Sequence, residues 1–202
     1  MIRAIIFDIG NVILRFDFGI AMKRLQHQCD PISEEIVAKL SALQTSYESG
    51  HITRPEFQRR VIEAVRFTGE EREFVQAWED IFTENLPMSE LIRGLEPKYP
   101  LYLLSNTSDL HVDYMWRTYP IFHAFKDAVY SYRAKCFKPD RAIFEVAIRQ
   151  FGINPARTAY IDDLEKNVAA ARDVGFQAFQ YDHADHGALL AWLNPLLGSA
   201  HC

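Results

Sequence analysis

Four short polar clusters interrupt an otherwise apolar pattern, and each follows a run that reads as a buried strand. They are Asp8 in Phe7-Asp8-Ile9-Gly10-Asn11-Val12, Ser105-Asn106-Thr107 after Leu103-Leu104, Lys138 before Pro139, and the pair Asp162-Asp163. Each has an ordinary structural explanation when taken alone: an aspartate can end a strand, and a lysine before a helix-starting proline commonly sits on a surface. Together they supply a carboxylate in a glycine-containing turn whose backbone can approach a ligand closely, a hydroxyl with loop amides, a fixed positive charge and two adjacent carboxylates. Adjacent buried carboxylates repel unless a cation neutralises them, and hard oxygen donors without His or Cys suit Mg²⁺. That set fits phosphoryl transfer, where charge neutralisation and positioning supply most of the rate.

Residues so far apart in sequence must be gathered by secondary structure. The apolar run 2–7 and the segments Leu101–Leu104, Ala128–Tyr132, Thr158–Ile161 and Phe176–Tyr181 read as strands buried on both faces, and helical patterns lie between them at Leu110–Arg117, Ala142–Phe151 and Leu164–Val174. Such alternation predicts an α/β fold: a Rossmann-like parallel sheet with helices on both faces, binding its ligand beyond the carboxyl ends of the strands. From about Phe18 to Glu84 the pattern is helical with no strand signal. Asp30-Pro31, Thr53-Arg54-Pro55-Glu56 and Thr68-Gly69-Glu70-Glu71 read there as helix starts. The expected organisation is a core of residues 1–16 and 86–202 with a small all-helical cap inserted at 17–85.

Composition narrows the partners. The 202 residues, 49% hydrophobic and 24% charged, fit one globular unit with a modest insertion. A net charge of −5 without a Lys/Arg run gives no field for nucleic acid or anionic lipid, and no stretch reaches the length of a membrane span. The amino-terminal apolar stretch is broken by Asp8 and Asn11, unlike a signal sequence. Cys29, Cys136 and Cys202 have no metal-ligand spacing and are odd in number, which points to free thiols in a reducing cytoplasm. The expected partner is a small phosphorylated molecule, and the chain is expected to be a monomer or homodimer.

The order and spacing of the four clusters resemble the haloacid dehalogenase superfamily over nearly the whole chain. By that resemblance Asp8 is a nucleophile, Ser105 and Asn106 hold phosphoryl oxygens with Asn11 beside them, and Lys138 bridges Asp8 and the phosphoryl group. Mg²⁺ would be bound by Asp8, the carbonyl of Gly10 and Asp163, with Asp162 binding it directly or through water, while the helical insertion closes over the substrate. Within the superfamily, Phe7–Ile13, Leu104–Ser108 and Glu48-Ser49-Gly50-His51-Ile52-Thr53 are similar to bacterial sugar-phosphate phosphatases related to the α-glucose-1-phosphate phosphatase. The resemblance implies a Mg²⁺-dependent phosphatase working through an aspartyl-phosphate. A metal-independent 2-haloacid dehalogenase and a phospho-ligand-binding protein with little turnover are the alternatives.

One position departs from the superfamily's pattern. Its phosphatases usually carry a second Asp two residues after the nucleophile, for proton transfer, and here that residue is Gly10. Groups of that kind contribute about 10²–10⁴ in rate. Asp17, Glu48 and His51 are the candidate substitutes, and without one the enzyme should favour esters with acidic leaving groups, such as a sugar 1-phosphate.

Overall fold

The computed structural model describes residues 1–198, so Cys202 lies outside the described residues. Strand β1 (Ala4–Phe7) ends in a tight turn that leads to β2 (Leu14–Phe16). Four helices follow: α1 (Phe18–Leu25), α2 (Glu34–Glu48), α3 (Arg54–Val65) and α4 (Glu71–Glu79). The chain returns through β3 (Phe82–Glu84), α5 (Leu86–Leu95), β4 (Leu101–Ser105), α6 (Asp109–Thr118), β5 (Asp127–Tyr130) and the short α7 (Ser131–Ala134). It closes with α8 (Arg141–Phe151), β6 (Thr158–Asp162), α9 (Glu165–Asp173), β7 (Gln177–Gln180) and α10 (His186–Leu193).

Strands β5, β4, β1, β6 and β7 form one parallel sheet in that order. Side chains alternate along each strand, so successive residues serve opposite faces. Ile5 and Phe7 pack with Leu101, Leu103 and Ile161 against α5, α6 and α10. Ala4 and Ile6 pack with Tyr102, Leu104 and Tyr160 against α8 and α9. This two-sided burial is why the strands read as continuous apolar runs. Helix α8 ends where Gly152 takes φ +63°, a left-handed conformation that costs glycine little.

Helices α1–α4 gather around a core of their own, in which Leu25, Phe57, Val61, Phe74, Trp78 and Ile81 are buried. Phe57, Phe74 and Trp78 are thus structural, each fully buried ring contributing roughly 2–3 kcal/mol of hydrophobic stabilisation. Two helix starts differ from their expected positions. Ser33 caps α2 in place of Asp30, which pairs with Arg66 at 3.2 Å. Glu70 caps α4 in a reciprocal box with Glu73, because the Thr68 hydroxyl donates to the Gln28 carbonyl instead. Thr53 caps α3 as expected. The absence of strand from 18 to 84 also needs correction: β3 pairs antiparallel with β2, joining Phe16 to Phe82 where the chain leaves and re-enters the sheet layer. A three-residue strand has too few alternations for its period to be visible in sequence.

Candidate active site

Strand β1 is central, paired with β4 on one side and β6 on the other, and the carboxyl ends of these strands border one crevice. Asp8 follows the end of β1, Ser105 ends β4 and Asp162 ends β6. Lys138 reaches the same point from the segment between α7 and α8, with only 2% of its surface exposed. Its ammonium lies 2.8 Å from Asp8 Oδ1 and 2.7 Å from Asp162 Oδ2. Burial opposes a charge on Lys138, but the Asp162 and Asp8 carboxylates outweigh it and hold its pKa above the ordinary value. Asp8, 7% exposed, is pushed up to about 6 by burial; the Lys138 ammonium pulls it down and Asp162 reinforces the rise.

Asp162 is fully buried and surrounded by donors. Oδ2 accepts from Lys138 Nζ at 2.7 Å and Tyr160 Oη at 2.5 Å, and Oδ1 accepts from the Leu164 amide and Asn167 Nδ2, both at 2.9 Å. Burial would raise its pKa, but Lys138 more than compensates and holds it low. Asp163, half-buried beside it, is raised by burial and accepts from Asn11 Nδ2 at 3.0 Å. Asn11 tolerates φ +53° in the turn after Asp8, a conformation more accessible to Asn than to most residues.

Ligand atoms of Asp8, Asp162 and Asp163 lie within 4.8 Å of one another. One ammonium faces these three carboxylates, 2.8 Å from Asp8 Oδ1. Three clustered carboxylates facing a single ammonium, all hard oxygen donors, fit a divalent cation of the Mg²⁺ type.

A cavity of about 310 Å³ opens over these groups. Asp8, Gly10, Asn11, Ser105, Asn106, Lys138 and Asp163 line its floor, and Phe16, Phe18, Gln44, Glu48, Phe82 and His111 form walls and roof. The amide of Asn106 clamps the Lys138 peptide, donating to its carbonyl at 2.9 Å and accepting from its N–H at 2.8 Å. His111 on α6 is held by the Trp78 carbonyl at 3.2 Å, and burial lowers its pKa to about 4, which keeps the ring neutral.

Residues 2–175 match the haloacid dehalogenase-like hydrolase family. The chain belongs to that family. It is 28% identical over 191 residues to a D-ribitol-5-phosphate phosphatase from Bacteroides thetaiotaomicron, covering 89% of this chain and 92% of the relative. It also resembles a haloacid dehalogenase family enzyme from the same organism, solved in complex with magnesium and inorganic phosphate. Identity there is 25% and the TM-score 0.85, over 94% of this chain and 99% of the other. A haloacid dehalogenase-like hydrolase from Porphyromonas gingivalis is 25% identical with a TM-score of 0.80, over 96% and 98% of the two chains.

In this haloacid dehalogenase-like hydrolase all eight residues singled out from sequence come together: seven line the cavity, and Asp162 clusters with Asp8 and Asp163. Asp162, expected to meet the metal directly or through water, accepts from Lys138, Tyr160, the Leu164 amide and Asn167 and so also anchors Lys138. Asn11, expected at the phosphate, lines the cavity and donates through its amide to Asp163. The Asn106 amide clamps the Lys138 backbone and keeps a second N–H, and the residue lines the cavity as expected of a phosphate-side group. Of the substitutes for the acid missing at Gly10, Asp17 is exposed and caps α1 through the Gly19 amide at 2.7 Å. His51 is exposed, with Nδ1 against Ser49 Oγ at 2.6 Å. Glu48 alone of the three reaches the cavity. Sequence reasoning missed Tyr160, Gln44, His111 and Phe16. Tyr160 carried a usable signal, because two residues before Asp162 on a strand it must share that residue's face.

Proposed function

We propose that this hydrolase is a Mg²⁺-dependent phosphatase of a small phosphorylated metabolite, of the sugar or sugar-alcohol phosphate class, acting through an aspartyl-phosphate on Asp8. The observation that carries the reading is the buried Asp8 carboxylate, ion-paired to Lys138 at 2.8 Å, on the floor of a cavity that also holds Ser105 and Asp163. The phosphatase relative and the magnesium and phosphate complex of the structural neighbour support the same chemistry.

Asp8, Asp163 and the Gly10 carbonyl are the residues that would hold the cation. When bound it supplies neutralisation of charge on the transferring group. Lys138 adds a second positive charge, kept rigid by Asp162 and by the Asn106 clamp on its peptide. Ser105 offers a hydroxyl to a phosphoryl oxygen. Asp8 attacks phosphorus and the ester oxygen departs; water then attacks the aspartyl-phosphate and regenerates the carboxylate. Residues 17–85 act as a cap over the substrate. The cavity is close to the lower end of small-molecule sites, which suits a metabolite about the size of a pentose or hexose phosphate. Phe16, Phe18 and Phe82 offer apolar faces for its carbon skeleton, with Gln44 as a polar contact.

Hydrolysis of p-nitrophenyl phosphate with and without Mg²⁺, beside chloride release from 2-chloropropionate, tests this reading. Mg²⁺-dependent phosphate release without chloride release is the expected result. Metal-independent chloride release would instead identify a dehalogenase.

A further inference from the structure

We infer that Glu48, the last residue of α2, is the general acid and base of this enzyme, delivered from the helical layer to the place that Gly10 leaves without a carboxylate. The inference rests on the phosphatase reading. Its first support is steric: a Cβ added at Gly10 would begin 3.0 Å from the Phe16 ring, so an acid at position 10 would start in tight contact with that side chain. The second is that Glu48 lines the same cavity as Asp8, whereas Asp17 and His51 do not. The third is that the carboxyl is held in position. Gln44 Nε2, one turn earlier on α2, donates to Glu48 Oε1 at 2.7 Å, which leaves Oε2 for a substrate or water.

The backbone around Glu48 is fastened to the sheet layer as well. Ser131 Oγ lies 2.5 Å from the Glu48 carbonyl and accepts from the Thr107 amide at 3.0 Å, linking Glu48 to the loop after Ser105. Lys135 donates to the Gly50 carbonyl. Gly50 at φ +69° lets the turn lie so close that a Cβ there would meet the Tyr132 carbonyl at 2.3 Å. The titratable groups sharing the cavity are Asp8, Asp163, Lys138 and His111, of which His111 is neutral and bound to Trp78. Burial raises the Glu48 pKa to about 7, with the Asp8 charge adding to the rise and the Gln44 bond opposing it, a value suited to giving and taking a proton near neutrality.

In the first step the Asp8 carboxylate forms a bond to phosphorus, the ester P–O bond breaks, and the leaving oxygen takes the proton of neutral Glu48. In the second step the Glu48 carboxylate takes a proton from water as the water oxygen bonds to phosphorus. The Asp8–phosphorus bond breaks, phosphate leaves and Glu48 is neutral again. Ester and water become alcohol and phosphate, and both carboxyls recover their starting states.

Glu48→Gln, assayed with Mg²⁺ on glycerol 3-phosphate and on p-nitrophenyl phosphate, tests the inference. An alkoxide needs a proton to leave and p-nitrophenolate does not. The expected result is a fall in kcat/KM of about 10²–10⁴ for the alkyl ester, a loss of less than about tenfold for the aryl ester, and a burst of p-nitrophenolate as the aspartyl-phosphate waits for water. Equal kcat/KM losses on both esters, or retained alkyl-ester activity without a burst, overturn the inference while a wild type active on both leaves the phosphatase reading standing. A wild type inactive on both removes that reading, and the inference with it, before any variant is made. Should the glutamine variant fold poorly, Glu48→Ala with added formate decides: restored glycerol 3-phosphate turnover supports the role, and no restoration overturns it.

Discussion

The Asp8 carboxylate is costly to bury in its charged form. Its folded pKa of about 6 lies above the unfolded value near 3.8, so its contribution to stability is fully present below about 3.8 and is lost as pH rises through 6. At pH 8 the charged form is a burden of up to about 3 kcal/mol. Asp8→Asn should therefore abolish turnover, since an amide cannot attack phosphorus, and yet raise the melting temperature of the metal-free protein at pH 8. The stability difference between variant and wild type should shrink as pH falls from about 6 to about 4. Calorimetry across that range reads both sign and window, and a variant less stable than wild type at pH 8 would contradict the burial argument.

At the scale of elements, polar contacts hold the turn between α2 and α3 against α6 and α7, beside the apolar packing of Leu110 with Tyr47 and Ile52. Arg54 pairs with Asp109 at 3.0 Å and Asp113 at 2.5 Å, Tyr47 donates to Asp109, and Lys135 donates to the Gly50 carbonyl. Partly exposed contacts of this kind are individually worth about 0–1 kcal/mol, so this polar latch positions the turn without dominating the stability of the fold. Arg54→Ala combined with Lys135→Ala should leave thermal stability within about 1 kcal/mol of wild type. Its turnover of glycerol 3-phosphate should fall about tenfold or more, with a smaller loss on p-nitrophenyl phosphate, because the aryl ester asks little of Glu48. Equal losses on the two substrates would assign the latch to folding rather than to catalysis.

For the whole molecule, the site is the point where the sheet layer carries unbalanced negative charge, and a cation that binds only the folded state stabilises it. Adding Mg²⁺ at about 100 times its dissociation constant should raise stability by roughly 2.7 kcal/mol. Asp163→Asn should shift that response to higher Mg²⁺, since an anionic oxygen is lost, while Asp162, which accepts from four donors, also anchors Lys138. Thermal shifts titrated with Mg²⁺ would read this, and an unchanged midpoint in Asp163→Asn would remove Asp163 from the metal site.

The sequence alone determined the parallel α/β core, because strands buried on both faces need continuous apolar runs, and these are visible without any tertiary information. It also determined which polar residues gather, since in such sheets the residues after neighbouring strands share one edge. It could not divide the labour among them. That Asp162 also anchors a lysine depends on Tyr160 Oη, the Leu164 amide and Asn167 Nδ2 converging on the same carboxylate, and Leu164 and Asn167 are fixed only once α9 packs. Nor could it choose among Asp17, Glu48 and His51, because which of them faces Asp8 is decided by the docking of α2 on α7, a contact between segments more than 80 residues apart. Periodicity reports which face of an element is buried; what lies across from that face is left to the tertiary structure.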